Sequence, residues 1–110
     1  MDTNAESNAI KEVDSIPLFC AVRKAARESQ LSRWLNVGFR YTHSRKPIGI
    51  QIFTVNPRSN PDVPAIDLSI DDKLVVRHDD IDNKEMYNKV LYRAKDIEDL
   101  VAWLNTKFTV

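Results

Sequence analysis

The chain of 110 residues holds two glycines, two histidines and one cysteine. Each scarcity closes a class of function. Phosphate-cradling loops rely on backbone conformations that glycine adopts freely, so Gly38 and Gly49 cannot build a P-loop or a dinucleotide-binding turn. No G-x-S-x-G segment is present, which removes the nucleophile-elbow hydrolases. Cys20 alone forms no internal disulfide, and with His43 and His78 it falls short of a structural zinc set. Its apolar surroundings, Leu18-Phe19-Cys20-Ala21-Val22, predict a small buried side chain. No apolar run approaches the roughly 20 residues of a membrane span. The segment Met1–Ser7 is polar and acidic, the reverse of a secretory signal. The expectation is a soluble, cytoplasmic protein without metal or cofactor.

What is present suits one folded domain. The apolar fraction is 43% and the charged fraction 29%, close to ordinary globular chains, which argues against wholesale disorder. Residues 1–8 read as a flexible tail and 9–110 as a single domain. A first helix is predicted from Ser15 to about Gln30, with Asp14 and Ser15 suited to the N-cap and Pro17 in the first turn. Leu18, Val22, Ala25 and Ser29 give its apolar stripe. Residues 31–37 fit either its continuation or the start of a strand.

Alternation then takes over. Leu35, Val37, Phe39 and Tyr41 share one parity, and Ile48, Ile50 and Ile52 another set, with Ser44-Arg45-Lys46-Pro47 as the turn between. Asn56–Pro64 carries three prolines and must be a loop. Ile66–Ile70 and Leu74–His78 read as third and fourth strands, joined by Asp71-Asp72. Met86–Ala94 reads as a fifth strand, with a helix as its rival. Asp96, Glu98 and Asp99 open a final helix whose stripe is Ile97, Leu100, Val101 and Leu104. The predicted fold is α+β: a two-layer sandwich of a roughly five-stranded, mainly antiparallel sheet with an N-terminal and a C-terminal amphipathic helix. The uncovered sheet face would carry Asn36, Arg40, Gln51, Asp67, Arg77, Lys89 and Arg93.

No catalytic constellation is local in sequence. His43 and His78 are the obvious general-base candidates, and a small enzyme built on them is one reading. Asp79–Glu85 fails as a calcium loop, with Lys84 at the fifth position from Asp80, Glu85 where glycine is required and Leu91 at the twelfth.

Charge is more informative. The formal net charge is zero, yet it is unevenly spread. Residues 1–14 carry one basic and four acidic groups, and from Gln51 onward there are eight basic and eleven acidic. Between them, residues 15–50 hold seven basic groups (Arg23, Lys24, Arg27, Arg33, Arg40, Arg45 and Lys46) against Glu28 alone. With Trp34 nearby, that segment suits a charged macromolecular partner. Trp34 and Phe53, with Tyr87 and Trp103, are the candidate apolar anchors. The leading expectation is a small non-catalytic protein-binding modulator, such as an inhibitor or accessory factor of a bacterial, phage or mobile-element system, or a homodimer. The alternative is a single-stranded nucleic-acid binder using the basic 23–46 segment.

Overall fold

Helix α1 (Ser15–Glu28) is written by a stripe of Leu18, Val22, Ala25 and Ala26, all buried. The computed structural model describes residues 14–41, 44–45, 47–55 and 61–109. The expected tail over 1–8, His43, Lys46 and residues 56–60 of the proline-rich loop lie outside them. Asp14 takes the N-cap position without a side-chain cap bond, contrary to expectation. Ser29 is the stop signal rather than a stripe member. Its backbone is extended, its hydroxyl donates to the Ala26 carbonyl at 2.7 Å, and its Oγ accepts from the Leu31 N–H. A tight turn follows, with Leu31 fully buried and its carbonyl accepting from the N–H groups of Trp34 and Leu35. Residues 31–34 are therefore turn, and the strand starts at Leu35. Cys20 is exposed, not buried. It stands two positions from both Leu18 and Val22, roughly 200° around the helix from each.

The strands β1 (Leu35–Tyr41), β2 (Pro47–Thr54), β3 (Asp67–Asp71), β4 (Val75–His78) and β5 (Val90–Arg93) form an antiparallel meander, each beside its sequence neighbours. The register lines up one row across all five: Phe39, Ile50, Ile70, Val76 and Tyr92. Ile50, Ile70 and Val76 have no exposed surface. Helix α2 (Ile97–Lys107) and α1 lie side by side on this face, and α1 also packs on β1 and β2. The row ends in an aromatic stack on each helix. Phe39 stacks on Phe19 of α1 with centroids 4.3 Å apart, and Tyr92 on Trp103 of α2 at 5.2 Å. Each fully buried aliphatic side chain stabilises by about 1.5–3 kcal/mol. A surface ion pair contributes about 0–1 kcal/mol, so the apolar row, not the surface charge, holds the layers together.

Two bulges shift the expected parity. Arg40 pairs with Gly49 but Tyr41 with Pro47, so Ile48 drops out of the ladder and is exposed rather than joining Ile50 and Ile52. Val76 pairs with Tyr92 but Arg77 with Val90, which skips Leu91 and turns Val90 to the outer face. The fifth strand is also shorter than the Met86–Ala94 alternation predicts. Residues 79–89 are a connection with turns at 81–82 and 84–88, the second ending at Asn88 in the left-handed region (φ 66°), where asparagine is tolerated. Lys89 thus belongs to this connection, while Asn36, Arg40, Gln51, Asp67, Arg77 and Arg93 do share the outer face. Neither glycine sits at positive φ. Gly49 is needed for a different reason: a Cβ there would run into the Ile70 carbonyl oxygen across the β2–β3 pair.

Asp71 organises the β3–β4 turn. Its Oδ1 accepts from the N–H groups of Lys73 (2.9 Å) and Val75 (3.1 Å), and its Oδ2 from Arg77 Nη1 (2.9 Å). This holds buried Leu74 at φ 62°, a conformation that costs a leucine about 1–3 kcal/mol. Asp71→Ala is expected to lower unfolding free energy in urea by about 2 kcal/mol, and Asp71→Asn, which keeps an Oδ1 acceptor, by less.

At the other margin, Asp96 caps α2 by accepting from the Asp99 N–H, as the sequence predicts. The Tyr92 hydroxyl donates to Asp99 at 2.6 Å and the Lys95 N–H donates to its second oxygen. The Tyr92 hydroxyl, then the Lys95 N–H, hold the Asp99 carboxyl below its ordinary pKa. The same bond, with partial burial, pushes Tyr92 up. Asp99 therefore contributes stability above the ordinary carboxylate pKa of about 4 and loses it as pH falls through the lowered value. Tyr92 contributes below about pH 10 and loses it as pH rises through the raised value. Tyr92→Phe is expected to melt below the wild type at neutral pH, with the gap narrowing in acid and in strong alkali.

Candidate interaction surface

The basic residues singled out in the sequence separate into distinct places. Arg23, Lys24 and Arg27 are exposed on α1, away from its buried stripe. Arg23 and Arg27 line a groove of about 300 Å³ with Ser32, Leu35, Asn36 and Val37, between α1 and the start of β1. Arg33 is exposed in the following turn, with its guanidinium 5.7 Å from the Trp34 ring. Trp34 itself is half-buried against the core, and its carbonyl accepts from the Val55 N–H at 2.7 Å. Arg45 is exposed in the β1–β2 turn at φ 64°. Phe53 lies on the outer face between Asn36 and Asp67, 37% exposed.

Arg40 does not join the helix cluster. It lies on the outer face, where Asp79 Oδ1 accepts from its Nη1 at 3.4 Å and Asp79 Oδ2 accepts from Gln51 Nε2 at 3.2 Å. An outer-face groove of about 290 Å³ brings Arg40 and Arg77 together with Ile48, Ser69, Asp71 and Asn88. Both arginines there are tied to carboxylates, Asp79 and Asp71, so this groove is close to charge-balanced. Among the described residues these are the two ion pairs, and Arg23, Lys24, Arg27 and Arg33 take part in neither.

A strip of rings beside the α1 cluster was not marked by sequence spacing. Phe39 and Tyr41 share the parity of the core residues, which predicts burial. Phe39 is only half-buried and Tyr41 is 57% exposed, because β1 is the margin of the sheet. Phe19, Phe39 and Tyr41 follow one another, the latter two with centroids 6.1 Å apart, and the Arg23 guanidinium lies 5.9 Å from the Phe19 ring. No spacing rule links Phe19 to Phe39, so only folding reveals the strip.

His78, the one described histidine, is half-buried opposite Leu68, and its Nδ1 is shielded from solvent without a hydrogen-bond partner among the described residues. No group of three or more metal-ligating side chains comes together among the described residues, and none of their helices is long and apolar enough to cross a membrane. Comparison with protein-family models, curated proteins and solved structures finds no match.

Asp67 responds to the same outer-face charges. Burial first, then Asp79 and Asp80, push its carboxyl above the ordinary value, while His78 pulls it down. Asp79→Asn is expected to move the Asp67 titration midpoint, read by carboxyl carbon NMR, to lower pH.

Proposed function

We propose that this chain is a small non-catalytic interaction protein that binds an acidic protein partner through the exposed face of α1 and the adjoining margin of β1. The observation that carries the reading is the contrast between its two basic regions. Arg40 and Arg77 are paired with carboxylates of the same chain, whereas Arg23, Lys24 and Arg27 stand together beside one carboxylate, Glu28, and take part in no ion pair among the described residues. A cluster rich in cations beside a concave groove steers an oppositely charged partner and sets its orientation. A modulator, inhibitor or accessory subunit needs no more than such a surface with a few apolar anchors, which Tyr41 and Phe39 supply.

Single-stranded nucleic acid is the second reading, favoured by Arg23 lying beside exposed rings. It is the weaker one. A stacking platform presents free ring faces to bases, but Phe19 and Phe39 present one face each to the other. An enzyme using His78 ranks third, since no described residue bonds Nδ1 to orient the ring.

A fluorescence-anisotropy titration separates the first two. A labelled Glu-rich peptide is expected to bind at low salt, and the charge reversal Arg23→Glu/Arg27→Glu to weaken it by about tenfold or more. Tight binding of oligothymidylate in place of the peptide, with affinity falling steeply with salt, would transfer the assignment to nucleic acid.

A further inference from the structure

We propose that β1 is a docking strand, to which an extended acidic segment of the partner adds as a sixth strand of the sheet. This rests on the reading of an acidic protein partner and specifies how that partner is held.

The backbone carries the first part of the case. The Val55 N–H donates to the Trp34 carbonyl, which fixes the alternation along β1. Residues of Trp34's parity, namely Asn36, Gly38 and Arg40, bond toward β2. The Leu35 N–H is taken by the Leu31 carbonyl. Val37 and Phe39 therefore turn both N–H and C=O away from β2, and no described strand lies on that side. Such an edge is a template for another strand unless it is blunted. β5, the opposite edge, is blunted: it has four residues, is bulged at Leu91 and ends in the charged Arg93. β1 has seven residues, and its bulge lies only at the Arg40/Tyr41 end.

The side chains carry the second part and choose the occupant. An added strand would lie about 4.8 Å from β1, against the groove lined by Arg23, Arg27 and Val37. Its side chains on the helix side would meet those two guanidinium groups, and at the far end the rings of Phe39 and Tyr41. On the other side, no atom of the described residues lies within 4 Å of where a Gly38 Cβ would be, so the outer flank is open among them. A second copy pairing its own β1 about a two-fold axis would set Arg23 and Arg27 of both chains along one seam, which like charges oppose. Acidic side chains at alternate positions are the complement.

The test uses the full chain and a labelled peptide of about eight residues alternating Glu with Thr, long enough to span the strand. Binding is read by anisotropy, and amide hydrogen exchange is read at Val37 and Phe39. Val37→Pro removes one outward N–H and is compatible with an edge strand, because that N–H bonds nothing within the sheet. The expected result is about tenfold or greater weakening by Val37→Pro, together with slowed exchange at Val37 and Phe39 in the wild-type complex. If Arg23→Glu/Arg27→Glu abolishes binding while Val37→Pro leaves it intact, strand addition is wrong and the acidic-partner reading stands. Absence of any wild-type binding removes both. A concentration-dependent dimer that Val37→Pro dissolves makes the occupant a second copy and overturns the proposal. Should Val37→Pro fail to fold, the wild-type exchange measurement decides alone: unprotected Val37 and Phe39 amides in the saturated complex overturn it.

Discussion

A single row of side chains crossing five strands, Phe39–Ile50–Ile70–Val76–Tyr92, is the element on which the remaining structure depends. Its three aliphatic members are fully shielded, and both helices are bound to the sheet by covering it. Its two ends are rings, each stacked on a ring of a different helix. The helices thus serve as clamps at opposite margins as well as a lid over the middle. The close β2–β3 approach at Gly49 belongs to the same requirement, since Ile50 and Ile70 meet only if the backbones beside them also meet.

Covering one face leaves the other to manage polar and charged groups in water. The chain does this with its own carboxylates, and the 79–89 connection brings Asp79 back to Arg40 and Gln51. The cost appears at Asp67, whose ionisation is opposed by burial, by Asp79, the partner of Arg40, and by Asp80. On α1, Glu28 lies beside Arg23, Lys24 and Arg27, but no ion pair forms there among the described residues. Carboxylates of the same chain pair Arg40 and Arg77 on the outer face, while Arg23, Lys24 and Arg27 take part in neither ion pair, so zero net charge conceals an uneven spread.

Local rules explain how much of this was legible in the sequence. Alternation placed Ile50, Ile52, Leu68 and Ile70 correctly because strand geometry fixes every second residue to one face. It failed at Ile48 and Val90, where a bulge adds one residue and inverts the parity beyond it. The capped α2 was readable because Asp96, Glu98 and Asp99 act within one turn. The end of α1 was not, because Ser29 fits the stripe by spacing while its hydroxyl ends the helix. The basic segment looked continuous in sequence, but the partner that removes Arg40 from it lies 39 residues away. Phe19 and Phe39 likewise have no local relation. Short-range periodicity therefore described the layers and missed which charges and rings would remain open.

The aromatic stacks at the two margins also make the molecule optically divided. Trp34 packs on the core just before β1, and Trp103 lies against Tyr92 beyond β5, so the two indoles stand at opposite sides of the sheet. Trp103 shares its environment with a phenol and with the Lys107 ammonium, 5.3 Å from its ring, whereas Trp34 has a guanidinium beside it. Emission from the whole protein is consequently a mixture of two reporters, one beside the groove and one remote from it. Silencing either indole would convert this native pair into separate gauges of whether the two margins of the sheet come apart together or in turn.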